Sequence, residues 1–496
     1  MAASRRRFAG ILIVLVLWGL RVPAVAQPVD ATEKLRRASQ LMQAGKPDEA
    51  VAIYRELAAA YPAETSYRIN LAIAQYKAHR YRDVIEECNA LVRLQPELFS
   101  AWLFLGASEL ELGQTEGAAV ALKKAADLHP GDRNARLMLA DVMLAQERNA
   151  EAAQQFEQIG RLTPDNPRVL LGLTRSYEAL AIGVFDRLEA AAPSSPELLA
   201  LTGDFELERK QFARALQQYR KALAVRPSFP GVHESVVLIY EKTGHPGWAL
   251  IERQKRQAAL ECGSPSPECE FAAGHFRELA QAVASTPIEM YWQAKALLRL
   301  SQRAYERLQE LPPSRERYEA AARADERGGQ WPEAAAAWKE ALKLSPGNMQ
   351  ITEKLALASC RSNDCVSALS VLKDAVTREP LSAELNFLYG VALSSTQDAR
   401  QALPYLEAAV RLNGDLLDAR AALGEAYLET GEAERAIPQL EKAIAEDADG
   451  SRHYQLVRAY QSAGKQDQAA AALREYREIL QRREAKMNDD TRITPP

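Results

Sequence analysis

The sequence predicts an all-α protein, an α-solenoid of about thirteen stacked helical copies. The main observation is a proline interval of 34 residues, which recurs in three groups: Pro62, Pro96, Pro130 and Pro164; Pro193 and Pro227; and Pro312, Pro346 and Pro380. A helical hairpin of this length cannot bury its apolar face alone, so the copies are expected to stack on their neighbours. An unrelated alanine-rich bundle is the alternative, but several positions that change together at one period favour the solenoid.

Each copy is expected to be two helices held close by small side chains. Position eight is small in most copies: Ala38, Ala72, Gly106, Ala140, Gly203, Ala356, Gly390 and Gly424. Position twenty-four carries an aromatic residue in several copies: Tyr54, Phe156, Tyr219 and Trp338. Glycine is expected to end the first helix where a left-handed cap favours a residue without Cβ: Gly45, Gly113, Gly244, Gly329, Gly431 and Gly464. Proline ends the second helix because it lacks an amide donor.

The copy at residues 99–132 carries a recognisable signature. Its order is Trp102, Leu105 and Gly106, followed by small, apolar and proline positions. This W-x2-L-G pattern resembles the tetratricopeptide repeat. The resemblance implies a right-handed superhelix in which the first helix of each pair lines a concave groove. Strings at residues 385–390, 403–409 and 453–460 are similar to exported tetratricopeptide repeat proteins of soil bacteria, a likeness that implies no activity.

Two copies lack the turn between their helices. Residues 168–192 read as one long helix, although Gly183 lies inside, and residues 288–311 read as another with no glycine or proline. The period is lost between residues 261 and 285. These interruptions predict three repeat blocks, at 27–166, 167–286 (with the irregular Cys- and Pro-rich insertion) and 287–482. We expect a signal peptide before them, at 1–26, and a polar disordered tail after them, at 483–496.

The first 26 residues resemble a secretory signal peptide. Arg5, Arg6 and Arg7 precede an apolar run at residues 9–20, and Ala24-Val25-Ala26 is a small-residue cleavage site. The run is shorter than the roughly 20 residues of a spanning helix, which favours cleavage over an uncleaved anchor. We therefore expect an exported protein, periplasmic or extracellular, without stable membrane insertion after cleavage. The export route, general or twin-arginine, stays open.

Five cysteines fit an oxidising compartment. Cys262 and Cys269 bracket a proline-rich segment, and Cys360 and Cys365 lie on opposite sides of one helix–helix turn, so each pair is expected to form a local disulfide. A zinc site is the alternative, but neither pair has a histidine or second cysteine pair at ligand spacing. Cys88 is expected to be a buried thiol.

The composition gives no support for catalysis or nucleic-acid binding. The six histidines are scattered over different copies, and the sequence has no phosphate-binding glycine loop or nucleophile elbow. A net charge of −4 and 7% aromatic residues give nucleic acid no basic, stacking surface. We expect no enzyme activity, no cofactor and no metal.

The family resemblance places the expected groove on first-helix positions two, five, nine, twelve and thirteen. Acidic residues outnumber basic ones there about two to one. The candidate groove-binding residues are Asp141, Glu178, Asp204, Glu208, Glu241, Glu326, Glu425 and Glu429. A solvated helix face is one interpretation, and a groove that attracts a basic or amide-rich segment is the other.

Two functions follow. The first is an exported scaffold that binds protein or peptide partners in its groove and organises an envelope or secretion-related complex. The second is a carbohydrate-, polymer- or peptide-binding accessory of an extracytoplasmic enzyme or export machine. A reproducible protein partner favours the first function, and polysaccharide retention favours the second.

Overall fold

The structure is a computed structural model that describes residues 29–229, 231–255, 266–396, 398–490 and 493–496. The expected signal peptide and Cys262 lie outside these residues. The chain divides into two compact units, Met1–Pro96 and Glu97–Pro496. The three repeat blocks expected from the sequence stay a prediction.

The described residues form helices, as predicted for an all-α solenoid. In the first unit the helices pair as α1 (Val29–Gln43) with α2 (Pro47–Ala60), and α3 (Thr65–Lys77) with α4 (Tyr81–Leu94). In the second unit the helices are α5 (Phe99–Glu111), α6 (Thr115–Leu128), α7 (Arg133–Ala145), α8 (Asn149–Leu162), α9 (Pro167–Ala191), α10 (Pro196–Glu208), α11 (Phe212–Val225), α12 (Val232–Lys242), α13 (Pro246–Lys255), α14 (Pro267–Ala273), α15 (Phe276–Gln281), α16 (Pro287–Glu310), α17 (Arg315–Arg327), α18 (Trp331–Leu344), α19 (Met349–Arg361), α20 (Leu369–Arg378), α21 (Ala383–Ser394), α22 (Ala399–Leu412), α23 (Leu417–Glu429), α24 (Ala433–Ala443), α25 (Ser451–Ser462) and α26 (Gln466–Asp490). None of the described helices has the length and apolar composition that crossing a membrane requires.

The turns inside the hairpins follow the predicted glycine rule. All six predicted cap glycines adopt a left-handed backbone, with φ between 69° and 84°. Four copies without that glycine make the same kind of turn with His79, Glu147, Lys210 and Asn363, at φ between 57° and 61°. Sequence reasoning missed these four, because packing of the flanking helices holds an ordinary residue in a conformation it rarely adopts.

Small residues at position eight bring the two helices of a hairpin together, as predicted. Ala38, Ala72, Ala140 and Ala356 are completely buried. A Cβ added to Gly203 would lie 2.6 Å from the ring of Tyr219, the residue at position twenty-four of the same copy. The interior therefore has no room for a larger side chain at these contacts.

Both predicted long helices are confirmed. Helix α9 passes through Gly183 without a break, and α16 is equally continuous. Nothing in the sequence indicated that they pack against each other as an antiparallel pair. Arg307 binds Asp165 at 2.8 Å at one end, and Arg187 Nη2 donates to Gln293 Oε1 at 2.9 Å at the other.

The α9–α16 contact combines apolar packing with buried hydrogen bonds. Leu308 of α16 is completely buried in a cluster with Leu170 and Leu171 of α9. Between the ends, Ser301 Oγ donates to the Thr174 carbonyl at 3.1 Å. Each long helix thus fills the place of the hairpin partner that the other lacks.

The 34-residue period is lost between residues 261 and 285, and the structure describes residues 266–285 of this segment. They form two short helices, α14 and α15, which pack against α16. Phe271 of α14 and Phe276 of α15 have ring centroids 4.9 Å apart, and Phe271 also meets Trp292 of α16 at 5.1 Å. This aromatic contact ties the segment to the long helix.

One predicted disulfide is confirmed. Cys360 at the end of α19 is bonded to Cys365, which begins a short 3-10 turn before α20. Cys88 is completely buried, as expected. The pair of Cys269 with Cys262 stays a prediction, because Cys262 is outside the described residues.

The polar disordered tail expected at residues 483–496 stays a prediction. Helix α26 continues to Asp490, since its last residues include good helix formers such as Ala485 and Lys486. Beyond it, Thr494 accepts a hydrogen bond from Arg220 of α11.

Two glycines of α9 offer a matched test of the packing. A Cβ on Gly172 would lie 2.4 Å from ring carbons of the buried Phe156, whereas nothing lies within 4 Å of one on Gly183. We expect Gly172→Ala to lower the free energy of unfolding by about 1 to 3 kcal/mol through overpacking. We expect Gly183→Ala to raise it by about 1 kcal/mol through helix propensity.

Thermal and urea unfolding of the two variants beside the wild type measure this difference. A Gly172→Ala variant as stable as Gly183→Ala would show that Phe156 does not pack closely on α9.

Candidate functional site

Charged side chains from three helices, α7, α9 and α17, converge where α9 faces α17. On α17 the charges recur at every fourth residue, which places them on one face of the helix. We call this set the central charged cluster; its members are Asp141, Arg168, Arg175, Glu178, Arg315, Glu319, Arg323 and Arg327. The pairing of α9 with α16 fixes where the α9 members lie.

A cavity of about 250 Å³ lies on one side of the cluster, between α5, α7, α9, α17 and α19. On its wall Arg168 binds Asp141 through two hydrogen bonds, at 2.7 Å from Nε and 2.5 Å from Nη2. Asn348, the residue that caps α19, donates to Glu111 Oε2 at 2.7 Å. Burial raises the pKa of Glu111, and Arg315 and Arg168 oppose that rise. The cavity wall is polar, and these groups are already hydrogen-bonded.

Glu319 is the most deeply placed acid of the cluster, with 9% of its surface exposed. It accepts hydrogen bonds from Arg323 Nε at 3.1 Å and Nη2 at 3.0 Å. Burial by itself would raise its pKa, but Arg323, Arg175 and Arg315 together hold that pKa below its usual value. Glu319 is therefore a fixed negative charge that organises the surrounding arginines.

Arg175 lines both this cavity and the next one along α9. Burial and the neighbouring charge of Arg323 lower its pKa. Within the described chain its guanidinium makes no direct hydrogen bond or ion pair, although Glu319, Asp141 and Glu178 are near enough to act on it electrostatically. Its five N–H donors thus remain available to a ligand.

The second cavity, of about 730 Å³, opens beside the C-terminal half of α9. Arg327 binds Glu178 at 3.0 Å, and Glu178 also accepts a hydrogen bond from Ser301 at 3.2 Å. Glu326 accepts a hydrogen bond from Trp338 Nε1 at 2.8 Å. Burial raises the pKa of Glu178 in spite of Arg327.

The charges continue from this cavity onto α10. Asp204 binds Lys295 of α16 at 3.1 Å and accepts a hydrogen bond from the Tyr219 hydroxyl at 2.8 Å. Loss of hydration raises the pKa of Glu208 to about 7, with Asp204 and Glu178 adding to the rise and Arg327 opposing it. Glu208 is thus an acid that changes charge near neutral pH.

Five of the eight candidate groove residues are brought together in this region: Asp141, Glu178, Asp204, Glu208 and Glu326. The other three lie elsewhere. Glu241 pairs with Arg253. Glu425 accepts a hydrogen bond from Gln455 at 2.8 Å and has Glu429 as its neighbour on α23. That any of the eight binds a partner stays a prediction.

Arg327, which faces Glu178 from another copy, is at an expected groove position, but two other cations of this region are not. Arg315 lies at position one of its copy, and Lys295 belongs to the long helix that the groove reading left out. Lys295 meets Asp204, 91 residues away in sequence, whereas Arg315 forms its ion pair with the adjacent Glu316 and acts on the more distant Glu111 electrostatically. The acidic excess along the first helices therefore becomes a wall of mixed charge around α9.

Chemically, this arrangement is suited to recognition. The cluster consists of carboxylates and guanidinium groups, which form strong, directional hydrogen bonds with peptide groups and charged side chains. Among the described residues, no group of three His, Cys, Asp or Glu side chains is placed to hold a metal ion.

Comparison with known families gives matches to three models of the tetratricopeptide repeat. One matches residues 109–176 and 393–459, a second matches 31–74, and a third matches 179–231 and 319–382. Together the matched ranges cover more than half of the 496 residues.

A curated relative, an Hsp70-Hsp90 organizing protein of Triticum aestivum, is 30% identical over 115 residues. The match covers 23% of this chain and 20% of the relative, so the chain spans about a fifth of that protein's length.

Solved structures that match this chain include a MamA protein, 26% identical, which covers 36% of this chain and 96% of its own, with a TM-score of 0.29. MamA from Desulfovibrio magneticus RS-1 is 21% identical over 34% of this chain and 95% of its own, with a TM-score of 0.30. An APC/C hetero-tetramer, Cut9-Hcn1, is 13% identical over 90% of this chain and 93% of its own, with a TM-score of 0.33.

Glu353 lies on the wall of the smaller cavity, and its raised pKa predicts that the free energy of unfolding depends on pH. Burial and the charge of Glu384 raise its pKa to about 7. Because the folded state holds this proton more tightly than the unfolded chain, the contribution to stability is present below about pH 4.5 and is lost as the pH rises through 7. We expect the free energy of unfolding of the wild type to fall by about 2 kcal/mol between pH 5 and pH 8 because of Glu353.

Thermal unfolding at both pH values tests the expectation. Glu353→Gln should flatten the dependence, and Glu340→Gln, at a half-buried position of α18 outside the cavity, should leave it unchanged. An identical pH dependence in wild type and Glu353→Gln would contradict the assignment.

Proposed function

Because the chain belongs to the tetratricopeptide repeat family, we propose that it is an exported scaffold that binds protein or peptide partners at the central charged cluster. In this role it organises an envelope or secretion-related complex and performs no catalysis. The relative from wheat is named an organizer of two other proteins, which agrees with a role in protein binding.

The proposal rests on Arg175, the arginine of the cluster that no carboxylate of the described chain holds directly. The other arginines of the cluster are held by carboxylates: Arg168 by Asp141, Arg315 by Glu316, Arg323 by Glu319, and Arg327 by Glu178. Arg175 lies among them on the walls of both cavities, and it makes no direct contact of this kind within the described chain. The Arg175 guanidinium is partly desolvated and borders both cavities, so its donors can form hydrogen bonds with a ligand there.

The chemistry of the wall favours an amide-rich partner segment. Arg175 supplies donors for carbonyl oxygens, whereas Glu208 and Glu326 supply acceptors for N–H groups. Backbone and side-chain amides offer both kinds of group, so an Asn- or Gln-containing segment matches the wall better than a purely basic one. Such a segment can lie along α9, because the two cavities share Arg175 and Arg323.

Photo-crosslinking in the native envelope tests the site. A photoreactive residue at Ile182, which lines the larger cavity and is 53% exposed, should give reproducible protein adducts. The same residue at Val120 of α6, which is 66% exposed and lines neither cavity, is the control. Arg175→Met should reduce the Ile182 adducts about tenfold or more, as expected for a lost charged hydrogen bond.

Equal labelling at Ile182 and Val120 would contradict a binding site at the cluster. Retention of polysaccharide with no protein adduct would favour the alternative function, an accessory that presents a polymer to an enzyme.

Export is part of the proposal and has its own test. The basic start, short apolar run and Ala-Val-Ala site support cleavage after Ala26. We expect intact-mass analysis of the protein from its native host to show Gln27 as the first residue. A mass that includes residues 1–26 would mean that the segment is retained.

A further inference from the structure

The segment Ile493–Pro496 follows helix α26 in the chain and lies on a groove formed by α11 and α12. These two helices are more than 200 residues away from the segment in sequence. The Arg220 guanidinium donates hydrogen bonds to the Thr494 hydroxyl, the Pro495 carbonyl and, at 2.7 Å, the Thr494 carbonyl. The Tyr240 hydroxyl also donates to the Thr494 carbonyl, at 3.2 Å. Ile493 packs on the apolar cluster that contains Tyr240 and Val236. The contact therefore combines an apolar anchor with several hydrogen bonds.

The donors of the groove match the chemistry of a proline-containing strand. Proline has no amide hydrogen, so a Thr-Pro-Pro segment presents carbonyl oxygens and a hydroxyl but no N–H at its two proline positions. Arg220 and Tyr240 supply donors to those oxygens. Ordinary residues at the two positions would add N–H groups next to Arg220 and Tyr240, which contact this segment as donors.

The groove is held in shape by contacts beneath it. Tyr240 is completely buried, Arg220 Nη2 lies 2.9 Å from its hydroxyl, and its ring meets Trp248 edge to face at 5.7 Å. His233 is fixed on both sides, by Glu252 Oε1 at 2.6 Å and by the Pro227 carbonyl at 2.9 Å.

Next to Pro496 a cavity of about 440 Å³ continues the groove. It is lined by Pro227, His233, Val236 and Glu252 among others, so the binding surface extends past the four residues that occupy it.

We propose that the α11–α12 groove is a second peptide-binding site, specific for extended segments of the form apolar-Thr-Pro-Pro. In this chain the site is occupied by residues 493–496, and a partner segment of the same chemistry displaces them. This site is distinct from the central charged cluster, and the proposal does not depend on the function assigned to that cluster.

The test uses the full chain with residues 493–496 replaced by Gly-Ser-Gly-Ser, and a fluorescent peptide with the sequence of residues 489–496. We expect the peptide to bind the replaced-tail chain and to bind wild type about tenfold or more weakly, because a tethered tail competes at a high effective concentration. A peptide with Thr-Ala-Ala in place of Thr-Pro-Pro should bind more weakly than the parent peptide.

In the replaced-tail chain, Arg220→Met should weaken peptide binding about tenfold or more, since it removes several hydrogen bonds to carbonyl and hydroxyl oxygens. Lys221→Met, at the next position of α11, is the matched control and should bind as the parent does. If Arg220→Met does not fold, Tyr240→Phe removes one donor, keeps the ring, and should still weaken binding.

Absence of binding to the replaced-tail chain would overturn the proposal, as would equal binding by the parent and the folded Arg220→Met or Tyr240→Phe variant. Concentration-dependent dimerisation of wild type that tail replacement abolishes would assign the segment to a second copy and overturn the intramolecular arrangement.

Discussion

The antiparallel packing of α9 on α16 is the contact on which the second unit depends. Each helix comes from a copy that lost its internal turn, and each has a wide apolar surface that one helical hairpin would otherwise have covered. Burial of Leu170, Leu171 and Leu308 in a common cluster joins parts of the chain more than 100 residues apart. A repeat array normally couples only neighbouring copies, so this contact adds a long-range constraint to a fold made of local ones.

That constraint also creates the central charged cluster. With α9 held against α16, its face carrying Arg168, Arg175 and Glu178 is turned towards α17 and its row of arginines. Charges in such a place are costly to desolvate, and most of them are compensated by a hydrogen-bonded partner. The exception, Arg175, lies on the walls of both cavities. Burial and neighbouring acids raise the pKa of Glu208 and of Glu353 to about 7, so we expect the local charge balance to change near neutral pH.

Helix α11 connects this region to the groove that holds residues 493–496. Tyr219 donates to Asp204, which in turn binds Lys295 of α16, while Arg220 donates to the docked segment. Successive residues of a helix project about 100° apart, so one turn of α11 serves both surfaces. The two sites are therefore supported by the same short stretch of backbone.

Periodicity decided most of the fold from the sequence alone. Proline spacing, small residues at position eight and glycine caps are local rules of helix geometry, and they located the hairpins and both long helices. The contacts that make the candidate site are not local. The packing of apolar surfaces across the chain decides which distant residues meet. Three examples are Arg327 with Glu178, Lys295 with Asp204, and Thr494 with Arg220. Sequence order does not specify such pairings, because hydrophobic burial is non-directional and only the folded arrangement decides which charges face each other.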